Sequence, residues 1–161
     1  MKKYLFASLL SMTLVFSMFS CEDNSIWKGH EDIKDGNWYI KQVPAFSFEV
    51  KDETLTYNVS YLVRNAVQYP YYNLYLTREL YDDRGKLLSS KLEELILFDQ
   101  KTGKPLGEGL GDLFDHKILT LKNIKFPKKG KYKMLLKQYM RQDPLVGILS
   151  VGINVEKVVK Q

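Results

Sequence analysis

The sequence predicts an all-β protein: an antiparallel β-sandwich of about eight strands. Apolar residues fall on every second position in one run after another, turn signals separate the runs, and no long amphipathic helical pattern competes with them. The plainest run is Tyr57 to Leu76, YNVSYLVRNAVQYPYYNLYL. Leu55, Tyr57, Val59, Tyr61 and Val63 fall on every second residue with Thr56, Asn58 and Ser60 between them, which points the first set to a core and the second toward water. Arg64-Asn65-Ala66-Val67-Gln68 breaks the alternation, and Tyr69-Pro70 forces an extended corner. Tyr72, Leu74 and Leu76 resume it. The expectation is a long hairpin or a sandwich corner, with Arg64, Asn65, Gln68 and Tyr69 in its loop.

The remaining elements follow in order. Trp38 and Ile40 open the domain, and Phe46, Phe48 and Val50 form an alternating strand. The second half of the tyrosine run extends through Leu80 to a turn at Asp82-Asp83-Arg84-Gly85. Leu87 to Phe98 is ambiguous. Leu88, Leu92 and Leu95 stand at helical spacing, yet the flanking turns and the apolar finish, Leu95-Ile96-Leu97-Phe98, favour a strand. Gln100 to His116 reads as a glycine-rich connection, and a strand restarts at Lys117. After the turn at Phe126 to Gly130, Tyr132, Met134, Leu136, Gln138 and Met140 alternate with more polar neighbours. Beyond Asp143-Pro144 a last strand turns Leu149, Val151, Ile153 and Val155 inward.

The body, residues 37–161, is expected to be one domain. A chain of 161 residues with 45% hydrophobic content is long enough to bury a core without disulfide or metal support. Residues 1–20 read as a secretory signal: Lys2-Lys3 is the charged start, and the apolar run from Tyr4 to Phe19 is shorter than a membrane span. A transmembrane signal anchor is the alternative. Cys21 follows directly and is the only cysteine, so it has no internal disulfide partner. Its position resembles the bacterial lipobox, which makes Cys21 the expected site of lipid attachment; Met18 and Phe19 depart from that motif, whereas Ser20 fits it. Residues 21–36 are polar and without periodicity. They read as a lipidated cysteine and flexible tether, with a reach of roughly 20 Å. Glu22-Asp23 is similar to acidic surface-export signals of Bacteroidota lipoproteins, and equally suits a solvated linker.

Charge argues against nucleic acid. Of 24 basic residues two belong to the signal, leaving 22 against 19 acidic ones. Apart from Lys128-Lys129-Gly130-Lys131 the lysines are scattered, with no arginine stripe or recognised motif. Nor does a catalytic or cofactor set emerge. Gly107, Gly109 and Gly111 lack the GK[ST] ending of a phosphate loop. Glu93 and Glu94 are neighbours on a strand and point to opposite faces. Asp112, Asp115 and His116 would need further ligands to hold calcium or zinc, and would suggest a hydrolase only if they converged in a pocket. The expectation is therefore no enzyme, no metal and no cofactor. The aromatic residues are more suggestive. Tyr69, Tyr71, Tyr72 and Tyr75 crowd together; they read first as strand packing, and second as an exposed platform for a protein partner or a sugar. With Arg64, Asn65, Arg141 and Asp143, the tyrosines Tyr69, Tyr71 and Tyr72 make up the candidate interaction surface. Arg141 and Asp143 could pair with each other, or one of them with Arg64.

Three stretches together resemble the gliding motility lipoprotein GldH family of Bacteroidota: LVRNAVQYPYYNLYL at 62–76, GEGLGDLFD at 107–115 and KQYMRQDPLVGILSVGINV at 137–155. The resemblance covers nearly the whole chain beyond the signal. It implies an outer-membrane lipoprotein, anchored through Cys21, serving the gliding motility and type IX secretion-associated envelope machinery. It implies a non-catalytic assembly role with other envelope proteins as partners. Similar proteins in non-gliding Bacteroidota leave a motility-free envelope role open, and a surface glycan-binding lipoprotein is the alternative.

Overall fold

A computed structural model describes residues 24–159, which form two antiparallel sheets packed face to face. The first sheet is built from β1 (Ser25–Asp32), β11 (Ile148–Lys157), β4 (Tyr57–Ala66), β8 (Leu113–Ile124) and β7 (Glu108–Leu110), in that spatial order. The second is built from β3 (Ala45–Val50), β9 (Gly130–Gln138), β5 (Asn73–Tyr81) and β6 (Leu87–Ile96). A short pair, β2 (Asn37–Trp38) with β10 (Leu145–Val146), closes one end and buries Trp38 completely. The expected all-β sandwich is what the chain forms.

Alternation explains which faces meet. In β4 Tyr57, Val59, Tyr61 and Val63 are buried, as are Val151, Ile153 and Val155 of the neighbouring β11. Opposite them lie Phe46, Phe48 and Val50 of β3, Tyr132, Met134 and Leu136 of β9, and Leu74, Leu76 and Leu80 of β5. Each buried side chain of this size contributes about 1.5–3 kcal/mol. The tyrosines satisfy their hydroxyls as they pack: Tyr57 donates to Asp52 O at 2.6 Å and Tyr132 to Lys128 O at 2.6 Å. Phe126 is held between these two rings, with centroids 5.5 Å from Tyr57 and 4.6 Å from Tyr132.

Several expectations are revised. The tyrosine run is a sandwich corner, since β4 pairs with β11 and β8 whereas β5 pairs with β6 and β9. Arg64 and Asn65 belong to β4 itself, not to the loop that follows. Leu87 to Ile96 is a strand, as favoured. Residues 25–32, expected as tether, form the edge strand β1, and Lys34–Gly36 is a 3-10 turn tied in on both sides, Ile33 N donating to Leu149 O of β11 and Gly147 N to Gly36 O, each at 2.8 Å. The glycine-rich connection also holds structure: β7 and the first residues of β8 make a hairpin around Gly111, whose φ of 67° needs a residue tolerant of that region. Leu149 is only half-buried, because the register shift between Ile148 and Ser150 turns Ile148 inward instead. Leu55, Ile40 and Tyr72 are exposed in connections.

Candidate functional site

The exposed aromatic side chains gather at one end of the second sheet, around a groove of about 520 Å³ lined by Tyr71, Tyr75, Leu92, Tyr139, Met140 and Arg141. Two strands and two connections build it. Tyr75 sits near the start of β5, on the outer face opposite Leu74. Tyr71 comes from the β4–β5 corner, and its hydroxyl donates to Gln142 Oε1 at 3.2 Å. The chain leaving β9 continues the ladder for one bond, Tyr139 N to Tyr75 O at 2.8 Å, and then folds Met140 back so that its sulfur accepts from Tyr75 N at 3.3 Å. Leu92 supplies the far wall from β6, an edge strand. Tyr139 is 65% exposed. Glu94 lies across from Tyr75 in register; the bond that its carboxylate takes from the Tyr75 hydroxyl raises that phenol above its usual pKa.

The candidate interaction residues are divided by this geometry. Tyr71 and Arg141 line the groove, and Tyr72 is exposed nearby in the corner, where its carbonyl caps Leu97 N and Phe98 N at 2.8 and 3.0 Å. Tyr69 is buried, donates to Asn73 O at 2.8 Å and stacks on Phe98. Asn65 is buried too, its side-chain oxygen 2.8 Å from His116 Nε2. Arg64 forms a bidentate pair with Asp115, at 2.8 and 2.9 Å, beside a second hollow that also includes Lys28, His30 and Lys117. Asp143 accepts Ile40 N at 3.0 Å, so Arg141, Asp143 and Arg64 do not form the pairs considered from sequence. Cys21 lies outside the described residues.

Asp112, Asp115 and His116 do not converge. Asp112 is in the β7–β8 turn, Asp115 points to Arg64 on the outer face, and His116 points inward to Asn65. Burial lowers the pKa of His116, against the opposite pull of the Asp115 charge. Among the described residues no group of three or more His, Cys, Asp or Glu is placed to hold a metal ion.

One feature of the interior escaped the sequence reading. Arg78, 3% exposed, points inward from β5 to Glu93 Oε2 at 3.5 Å and Ser89 Oγ at 2.9 Å. Glu93 also accepts the Tyr61 hydroxyl, Thr120 Oγ1 at 2.7 Å and Lys91 Nζ at 3.1 Å. Burial alone would raise the Glu93 pKa; the donors from Tyr61, Thr120 and Lys91, with the Arg78 charge, outweigh it and hold the carboxyl below its usual range. These contacts join β4, β5, β6 and β8 across the two sheets. The only sequence signal is the polar alternation Ser89, Lys91, Glu93 on a strand otherwise rich in leucine.

The fold and groove define a β-sandwich that displays an aromatic cleft, without a converging catalytic set among the described residues. The family model described as GldH lipoprotein matches residues 25–155, and the chain belongs to that family. It is 30% identical to the gliding motility lipoprotein GldH homolog of Christiangramia forsetii, across 94% of this chain and 96% of that protein. It is 28% identical to the gliding motility lipoprotein GldH of Flavobacterium johnsoniae, across 87% of this chain and 89% of that one. An arabinose-bound α-L-arabinofuranosidase aligns with 81% of the chain and 19% of its own length at 11% identity, with a TM-score of 0.37, too low to bear on function.

Proposed function

We propose that the protein is a non-catalytic component of the gliding motility and type IX secretion-associated envelope machinery, held at the outer membrane by a lipid on Cys21, and that it binds another envelope protein through the tyrosine groove. Membership of the GldH lipoprotein family supports the setting. The observation that carries the binding role is the groove itself: Tyr71, Tyr75 and Tyr139 surround an apolar floor with Arg141 at its rim. Tyrosine and arginine over an apolar pocket are the side chains that dominate binding energy at protein interfaces. The same three rings favour a second reading, stacking on the sugar rings of a surface glycan.

A photoreactive residue placed at Tyr139 in the full-length lipoprotein tests this in cells. The expected product is a crosslink to one envelope protein, lost in a Tyr71→Ala/Tyr75→Ala variant that still folds. Recovery of the uncrosslinked protein, with retention on a polysaccharide column that the double variant abolishes, would favour the glycan instead. Acyl labelling of Cys21→Ser checks the anchor: label and membrane retention are both expected to disappear.

A further inference from the structure

The strand registers define two ends of the sandwich. Ser25 is opposite Glu156, Tyr57 is opposite both Lys157 and Ile124, and Val50 is opposite Gly130, so β1 begins where β3 and β8 end and where β4 and β9 begin. The 51–56, 82–86 and 125–129 connections share that end; Lys128 Nζ reaches Asp83 Oδ1 at 2.7 Å, and Phe126 packs on Tyr57. The tyrosine groove lies at the other end, where β5 starts and β9 finishes.

The end at which the chain enters is rich in lysine. From Lys122 to Lys133 the sequence has 6 lysines and no acidic residue. Lys122, Lys125, Lys129 and Lys131 are exposed and form no ion pair among the described residues. Acidic groups at this end are mostly engaged. Asp83 is held by Lys128, Glu156 by Lys117, Asp82 by the N–H groups of its own turn, and Asp52 by Thr54. Glu53 is exposed, and Glu49 stands in register with Lys131 on β3; Lys51, Arg84, Lys86 and Lys157 add further positive charge.

Position gives this charge a counterpart. If Cys21 carries the lipid, as proposed above, only Glu22, Asp23 and Asn24 separate it from β1. Four Cα steps reach at most about 14 Å, so the lysine end stays close to the bilayer, within range of its surface potential. We propose that Lys122, Lys125, Lys129 and Lys131 rest on anionic phospholipid headgroups of the membrane that holds the anchor, which turns the tyrosine groove away from that membrane. The inference rests on the anchor reading but has its own readout.

The test uses the full-length acylated protein mixed with vesicles of phosphatidylcholine alone, or of phosphatidylcholine with phosphatidylglycerol. Flotation reports binding, and amine-reactive labelling read by mass spectrometry reports which lysines are covered. The four lysines are expected to label about fivefold less on anionic than on neutral vesicles, with the difference reduced in high salt. Lys41 and Lys104, at the groove end, should label alike on both. A variant with K122Q, K125Q, K129Q and K131Q should float with both vesicles, and the lysines left at that end, Lys51, Lys86 and Lys157, should then label alike on both. Equal labelling on both vesicle types, with the protein floating on each, would overturn the lysine contact while leaving the anchor standing. Flotation with anionic vesicles alone would reject the anchor and keep the lysine contact; flotation with neither would overturn both.

Discussion

Glu93 is the residue on which the interior is most exposed to a single change. Arg78 is almost wholly buried, and Glu93, 12% exposed at its side chain, is its carboxylate partner. Glu93→Gln keeps an oxygen for Thr120 and Tyr61 but leaves the Arg78 charge uncompensated. Breaking a buried pair on one side costs about 3–5 kcal/mol, and the lower end is expected here because Lys91 and solvent reach the same carboxylate. Urea unfolding at neutral pH reads this loss directly. The pH dependence has a defined sign. The folded pKa of Glu93 lies below its reference value of 4.5, so its contribution is present above 4.5 and is lost as pH falls through the folded pKa. His116 acts in a separate window. Its folded pKa is lowered from 6.5, so stability is full above 6.5 and declines as pH drops from there toward the folded pKa. Unfolding midpoints measured across both windows should show two declines; His116→Gln should remove the upper one, and Glu93→Gln should shrink the lower, to which Asp52, Glu79, Asp83, Asp99 and Asp115, also held below their usual range, contribute as well.

At the level of elements, the decisive contact is the seam between β1 and β11. A Cβ on Gly152 would lie 2.2 Å from Gly29 O and 2.7 Å from His30 Cα, both backbone atoms of β1. Gly152→Ala therefore has to push β1 off its partner. A Cβ on Gly29 would instead meet the Trp27 ring at 2.7 Å, and that ring is only partly buried. Gly152→Ala is expected to destabilise by about 1–3 kcal/mol, Gly29→Ala by less, and hydrogen exchange should show loosened amides in β1 and β11 for the former. The same glycines explain what was hard to read. Strands β3, β4, β9 and β11 bury one face against the opposite sheet, and their alternation was plain in the sequence. The inward face of β1 is Trp27 above Gly29, with Trp27 packed on Phe46 at 6.0 Å, so one ring covers the space that a row of aliphatic residues would fill. No periodicity survives to mark such a strand. Strand β7 is only three residues long and wholly exposed, and Gly109 with the flanking Gly107 and Gly111 pointed just as well to a loop. The tyrosine surface was half legible for a related reason. Spacing identified the cluster but could not separate buried Tyr69 from exposed Tyr71, nor bring Tyr139 beside them from a distant strand, since that meeting depends on which strands become neighbours.

For the molecule as a whole, the two ends have different chemistry and the point of entry distinguishes them. Lysines cluster where β1 begins, and tyrosines where the chain is farthest from it along the strands. If Cys21 carries the lipid, as proposed, the short connection makes that polarity matter, because a domain held within about 14 Å cannot turn over freely beside a bilayer. Lengthening the connection separates attachment from orientation. A Gly/Ser insert of about 15 residues between Glu22 and Ser25 adds a root-mean-square span of roughly 20 Å, while Cys21, the lysine end and the groove are all left intact. The lengthened protein should remain in the membrane fraction and unfold at the same urea concentration as the parent. Its crosslinking yield from Tyr139 should fall, because the groove is no longer held at a fixed height and direction, and adding K122Q, K125Q, K129Q and K131Q should lower it further. An undiminished yield in the lengthened protein would mean that the partner alone fixes the orientation, and that the lysine end contributes contact with the membrane without directing the groove.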